Sequence, residues 1–137
     1  MSTNDIRWKQ RYQNFHDVFL RLKEAVELPE LNELERNGLV QRFEFTLEMA
    51  WKTLKDFLQY NEFTFNPSPK DTLRLAQQSG YIDYAQELID GFELRNMLSH
   101  DYSGEKFLTA EKQFRTVIYP VIEKLYLFLA SELEKEK

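Results

Sequence analysis

Cysteine is absent from this sequence of 137 residues, and glycine and proline are scarce, with four of each. Without cysteine, disulfides, thiolate nucleophiles and cysteine zinc sites are all excluded. The two histidines, His16 and His100, are too far apart in the sequence for a metal-ligand spacing. No glycine-rich phosphate loop, Ser-His-Asp order or paired-carboxylate motif is present either. We therefore expect no bound metal and no resident cofactor.

Positive charge is also in deficit, because 18 lysines and arginines stand against 23 acids, for a net charge of −5. This balance argues against a broad basic surface for duplex nucleic acid. No apolar run approaches the roughly 18 residues of a membrane span, and the N-terminal segment has no signal-peptide apolar region. We expect a single cytoplasmic domain over residues 1–137, with no contact to a membrane.

The scarcity of glycine and proline leaves long segments in which apolar residues recur at steps of three and four, the period of an amphipathic helix. The clearest stripe comprises Trp8, Tyr12, Phe15, Phe19, Leu22 and Val26. These patterns predict four long helices and one short helix, over residues 5–27, 34–60, 71–80, 82–99 and 109–134. The natural packing is all-α, an antiparallel four-helix up-and-down bundle with one extra short helix.

Local signals refine this prediction at a few positions. Ser68 or Asp71 caps the short helix, and Gly80 closes it. Pro120 falls inside the apolar stripe of the last helix, where its missing N–H group should kink the helix. The 20 aromatic residues are more than one small bundle readily hides. They indicate either an unusually aromatic core or a subunit interface, where aromatic residues are enriched.

Arg95 is the only basic residue between residues 75 and 105, among six acids. It follows Phe92 by three residues and continues that helix's apolar stripe, so we expect its side chain to point inward. A buried guanidinium must be paired or used, because an isolated buried charge is very unfavourable. The structural interpretation is an ion pair with Glu44 or Glu48 of the second predicted helix.

His100 follows in the run ELRNMLSHDYSG. Five residues on a helix rotate by about 140°, so Arg95 and His100 share a face only if the helix frays near Ser99. Asn96 and His100, four residues apart, do share one. Arg95 offers a cation for phosphate, His100 a group that titrates near neutrality and Tyr102 a phenol. The alternative for His100 is a helix C-terminal cap.

The other histidine, His16, stands beside Phe15 on the first predicted helix. We expect it to be an ordinary, partly exposed helical residue.

The run from Arg95 to His100, followed by Tyr102, resembles the R-x(4–6)-H motif of the HEPN superfamily. The whole chain is more closely similar to the nucleotidyltransferase substrate-binding proteins, which are small helical HEPN proteins that pair with a minimal nucleotidyltransferase. The segments that carry this likeness are FEFTLEMAWKTLKDFL, DTLRLAQQSGYI and RNMLSHDY.

The resemblance implies a homodimer whose two motifs face a shared cleft for RNA or a nucleotide, in complex with a nucleotidyltransferase encoded by a neighbouring gene. It further implies that the protein is the toxin of a two-gene toxin–antitoxin module and acts as a metal-independent RNase. In that function His100 activates a ribose 2′-hydroxyl, Arg95 holds the phosphate and Asn96 orients the pair. Addition of AMP at Tyr102 silences the toxin. The alternative is a non-catalytic subunit that binds substrate or nucleotide for the nucleotidyltransferase.

Overall fold

The computed structural model describes residues 3–100 and 104–136, except for the side chain of His100. Its α-helices are α1 (Thr3–Val26), α2 (Glu33–Tyr60), α3 (Pro69–Gln78), α4 (Ala85–His100), α5 (Gly104–Gln113) and α6 (Tyr119–Glu134). No strand occurs within these described ranges, and none of their helices is long and apolar enough to cross a membrane. The predicted all-α class is confirmed. The fourth helix begins three residues later than predicted, and the last helical segment begins five residues earlier.

The long helices run antiparallel to their neighbours. Between α1 and α2, the Thr46 hydroxyl donates to the Val18 carbonyl at 3.2 Å, and the Thr53 hydroxyl donates to the Arg11 carbonyl at 3.3 Å. Residue numbers therefore rise along one helix as they fall along the other. Contacts with the same reversal join α2 to α4, residues 84–91 to residues 118–124, and α1 to residues 126–136. The four long segments form the up-and-down bundle, with α3 as the extra short helix.

A π-helical turn, Phe114–Ile118, joins α5 to α6 directly before Pro120. In a regular α-helix the proline ring clashes with the carbonyl four residues earlier and leaves it without a donor. Here the N–H of Tyr119 donates to the carbonyl of Phe114, five residues back, so the turn is locally wider. A kink was predicted at Pro120; the structure has this π-helical turn just before it, and the helical segment continues through Pro120.

Two helix starts are fixed by side-chain caps. Ser68 is the residue that caps α3, because its hydroxyl accepts the backbone N–H of Asp71 at 3.3 Å. At the start of α2, Asn32 and Glu35 form a reciprocal cap in which each side chain accepts the other's backbone N–H, at 2.8 and 2.9 Å. Both caps satisfy amide groups that have no partner within the helix.

The aromatic residues form much of the core. Trp8 and Phe57 meet edge to face with ring centroids 5.2 Å apart, and Phe43 meets Phe114 at 4.7 Å. Among the described aromatic residues, only Phe45 is largely exposed, at 55%. Of the two interpretations of the aromatic content, an aromatic-rich core is the one observed within a single chain. Dimerisation stays a prediction.

Candidate functional site

The inner face of α4 follows a different stripe from the predicted one. Its buried residues after the first turn include Leu88, Gly91, Leu94 and Leu98. Phe92 and Arg95 are only half-buried, and their contacts place Arg95 against α2. The expectation that Arg95 points into the core is therefore wrong, and its guanidinium lies where both α2 and solvent can reach it.

Gly91 explains this rotation of the buried face. A Cβ atom placed on Gly91 would lie 3.1 Å from Cγ2 of Ile118, closer than ordinary van der Waals contact. The missing side chain lets α4 approach the π-helical turn closely and so places the glycine side of α4 against the core. A hydropathy pattern misses this because glycine contributes no apolar side chain to the stripe.

Three neighbours hold the Arg95 guanidinium. Its Nη1 lies 4.0 Å from Oε2 of Glu48, and its Nη2 donates to Oδ1 of Asn96 at 3.3 Å. The guanidinium carbon also lies 5.2 Å from the centre of the Phe92 ring, a cation–π distance. The side chain remains 28% exposed. Of the predicted partners for Arg95, Glu48 is therefore the one observed, and Asn96 contacts the arginine directly.

Glu48 contacts a second cation, Lys52, in addition to Arg95. Its Oε1 lies 3.0 Å from Nζ of Lys52, and its Oε2 accepts the indole N–H of Trp51 at 3.3 Å. Partial burial acts to raise the pKa of Glu48. The hydrogen bonds from Lys52 and Trp51, with the charges of Lys52 and Arg95, outweigh burial and lower that pKa below its ordinary value. Glu48 is therefore an anion at neutral pH.

Glu44, one turn before Glu48, holds the end of α4. Its carboxylate accepts a hydrogen bond from the hydroxyl of Ser99, whose oxygen also lies 2.9 Å from the carbonyl oxygen of Arg95. This role of Ser99 was not predicted from the sequence. The available signal was spacing, because Glu44 and Glu48 are four apart on α2 and Arg95 and Ser99 are four apart on α4.

The backbone of His100 forms the last residue of α4, so the helix continues through Ser99. The side chain of His100 lies outside the described part of the structure, and so does the whole of Tyr102. The fraying near Ser99 that would bring His100 onto the face of Arg95 is therefore not seen in the backbone. The roles predicted for the His100 side chain and for Tyr102 stay predictions. The site that is described consists of Arg95 and Asn96 on α4 with Glu44 and Glu48 on α2.

The cationic side chain among these four residues is the Arg95 guanidinium. A partly exposed guanidinium can give two parallel hydrogen bonds to phosphate oxygens, and an adjacent amide helps to orient it. Across the two described ranges, no three histidine, aspartate or glutamate side chains are grouped closely enough to hold a metal ion.

His16 is half-buried on α1, in agreement with the expectation for it. Its Nδ1 shares a hydrogen bond with the hydroxyl of Tyr126 on α6, a contact that the sequence did not predict. The two rings are also stacked, with centroids 5.8 Å apart. His16 therefore joins α1 to α6.

This chain is similar to a protein of known structure and matches a known protein family. A protein of known crystal structure from Thermus thermophilus superposes with a TM-score of 0.71 at 29% sequence identity, over 87% of this chain and 98% of that one. No curated protein gives a significant match. The family model described as "nucleotidyltransferase substrate binding protein like" matches residues 10–131. Because that match covers nearly the whole bundle, this chain belongs to the nucleotidyltransferase substrate binding protein-like family.

Proposed function

We propose that this protein is the partner subunit of a minimal nucleotidyltransferase and a metal-independent RNase toxin. The observation that carries the proposal is the exposure of Arg95. Its guanidinium lies at the surface beside Asn96, in the helical turn that leads to His100. The family's name supports the pairing with a nucleotidyltransferase. Two chains facing each other across a shared cleft would bring two such segments to one RNA strand.

The proposed cleavage uses this chain's own residues. His100 takes the proton of a ribose 2′-hydroxyl, and the freed oxygen attacks the adjacent phosphorus. The bond from phosphorus to the 2′-oxygen forms while the bond to the 5′-oxygen breaks, and the leaving oxygen takes a proton from solvent. Arg95 stabilises the charge that develops on the phosphate oxygens, and Asn96 orients the guanidinium. The products are a 2′,3′-cyclic phosphate and a 5′-hydroxyl end.

We further propose that the nucleotidyltransferase silences this site at Tyr102. The phenol oxygen attacks the α-phosphorus of ATP, pyrophosphate leaves, and the phenol proton passes to the transferase or to solvent. The added AMP places a phosphate two residues from His100, where it can pair with Arg95 and exclude RNA.

The test of cleavage compares purified wild-type protein with Arg95→Ala and His100→Ala on RNA in the presence of EDTA. We expect cyclic phosphate ends from the wild type alone, and no further loss in the double variant, because the two residues serve one step. Arg74→Ala, which removes an exposed arginine of α3, is the matched control and should cleave normally. Intact RNA with the wild-type protein would contradict the RNase function.

The test of modification is mass spectrometry after co-expression with the neighbouring nucleotidyltransferase. AMP should appear on the peptide that contains Tyr102 and be lost in Tyr102→Phe. An unmodified peptide beside an active transferase would contradict this part of the proposal.

A second function is a non-catalytic subunit that binds a nucleotide for the transferase. Two carboxylates, Glu48 beside Arg95 and Glu44 beside Ser99, favour it because they lower the local positive charge available to an RNA backbone. Saturable binding of a nucleotide by a protein that leaves RNA intact would support this second function.

A further inference from the structure

One carboxylate joins two cations from different helices. Oε1 of Glu48 lies 3.0 Å from Nζ of Lys52, on the same helix, and Oε2 lies 4.0 Å from Nη1 of Arg95 on α4. The side chains of Lys52 and Arg95 are 32% and 28% exposed. Solvent and dissolved anions therefore reach both cations while the same anion holds them.

A carboxylate and a phosphate group both present oxygens that a guanidinium and an ammonium recognise. We propose that Lys52 is a second phosphate-binding cation of the Arg95 site and that Glu48 occupies this two-cation site until a phosphate displaces it. The inference rests on the proposed function, since it concerns the same site and the same class of ligand. It assigns Lys52 a contact with substrate and Glu48 a regulatory role.

Displacement of Glu48 is energetically feasible. An ion pair between partly exposed side chains contributes little to stability, because solvent screens it and two long side chains lose freedom. The distance of 4.0 Å to Arg95 is also longer than that of a charge-assisted hydrogen bond. A phosphate that contacts both cations replaces one short contact and one long contact with several direct hydrogen bonds.

The fluorescence of Trp51 reports movement of the Glu48 carboxylate. Its indole N–H donates to Oε2 of Glu48, the oxygen that faces Arg95, and its side chain is half-buried. The second tryptophan of the chain, Trp8, is fully buried in the core. Movement of Glu48 therefore changes the surroundings of Trp51 and leaves those of Trp8 unchanged.

The experiment measures binding of a short fluorescein-labelled oligouridylate and, separately, of AMP to the full chain. We expect Glu48→Gln to bind about fivefold more tightly and Lys52→Gln about fivefold more weakly, because each changes one unit charge at the site. The dependence of log affinity on log salt should become steeper by about one for Glu48→Gln and shallower by about one for Lys52→Gln. Lys23→Gln, an exposed lysine on α1, is the matched control and should bind as the wild type does.

The two probes separate the sources of the phosphate. Tighter binding of oligouridylate identifies a nucleic-acid strand as the ligand, and tighter binding of AMP identifies a free nucleotide. Either result supports the inference if the affinities of Glu48→Gln and Lys52→Gln change as stated above. Tryptophan fluorescence, excited at a wavelength where tyrosine does not absorb, should also change when wild-type protein is saturated with unlabelled probe.

The outcomes distinguish the inference from the proposed function. If the wild type binds, Arg95→Ala binds weakly, and either Lys52→Gln or Glu48→Gln matches the wild type, the inference is overturned and the function stands. If neither probe binds the wild type or Glu48→Gln, both are overturned. Thermal melts verify that the variants fold. If a variant does not fold, the fluorescence of the wild type decides: unchanged Trp51 fluorescence in protein saturated with probe overturns the displacement of Glu48.

Discussion

The hydroxyl of Ser99 bridges two helices, because it donates to the Glu44 carboxylate on α2 and lies 2.9 Å from the Arg95 carbonyl on its own helix. Ser99 immediately precedes His100 in the sequence. Glu48 contacts Arg95 one turn earlier along α4. The segment that carries the R-x4-H motif is therefore held against α2 at both of its ends.

Removing the Ser99 hydroxyl should loosen this segment. We expect Ser99→Ala to lower the free energy of unfolding by about 1 kcal/mol, or somewhat more, because the Glu44 carboxylate loses its donor. Amide hydrogen exchange near residues 96–100 should quicken. Thr116→Ala is the control, since its hydroxyl donates only to the Lys112 carbonyl of its own helix. Equal effects of the two substitutions in urea unfolding and in exchange would contradict the anchoring role of Ser99.

A side chain at Gly91 should strain the contact between α4 and the π-helical turn. Alanine improves helix propensity by about 1 kcal/mol, but its Cβ would lie 3.1 Å from Cγ2 of buried Ile118. We expect overpacking to prevail, so that Gly91→Ala lowers the free energy of unfolding by about 1 kcal/mol. Chemical denaturation measures this change.

Ile118→Leu removes the methyl group that Gly91 faces while conserving volume. In that background we expect Gly91→Ala to be neutral or stabilising, which a double-mutant cycle measures as a favourable coupling. A Gly91→Ala penalty of equal size in both backgrounds would show that the Cγ2 contact is not its cause.

The ion pair between Arg11 and Asp56 should contribute more to stability than the ion pairs between exposed side chains. The Asp56 side chain is fully buried, and its Oδ2 accepts Nε of Arg11 at 2.9 Å. We expect Asp56→Asn to cost about 2–3 kcal/mol, less than a fully buried pair because Arg11 is 27% exposed. Asp17→Asn, which changes an exposed carboxylate on α1, should change the unfolding free energy by under about 0.5 kcal/mol. Similar losses for both variants in urea titrations would refute the ranking.

Alkaline pH should destabilise the bundle through Tyr119. Burial, followed by the charges of Glu123 and Glu27, raises the pKa of Tyr119 to about 12. The unfolded phenol ionises near pH 10, so its contribution to stability is complete below about pH 10 and is lost as the pH rises toward 12. The melting temperature should fall less steeply with pH across this range for Tyr119→Phe than for the wild type. Lysine titration affects both proteins alike, so identical slopes would rule out Tyr119 as the cause.

Dimerisation can be measured by sedimentation at micromolar concentration. We expect about twice the mass of one chain for the wild type, from the family resemblance and the aromatic content. Among the aromatic residues that the structure describes, Phe45 on α2 is the one that is largely exposed, so Phe45→Asp should shift the equilibrium toward monomer. A wild type that sediments as a monomer throughout would exclude the dimer and the shared cleft.

The sequence alone determined the helices and most of the core. The stripe predicted for α1 is buried apart from the half-buried Val26. The apolar residues that recur at the same steps in α2 are buried throughout: Val40, Phe43, Leu47, Ala50, Leu54 and Phe57. The cap at Ser68 and a disturbance at Pro120 were likewise readable. These features depend on neighbours within one or two turns, through the helical period, a side-chain cap or a missing N–H group, so local sequence contains them.

Tertiary structure alone decided how the motif segment faces its neighbours. The close approach at Gly91 rotates α4 so that Arg95 lies against α2, and the register between those helices pairs Glu48 with Arg95 and Glu44 with Ser99. Hydropathy periodicity reports which side of a helix is apolar, and it gives neither the distance between two helices nor their relative shift. Both are set by how side chains of different size fit together across the interface, which becomes fixed only when the helices pack.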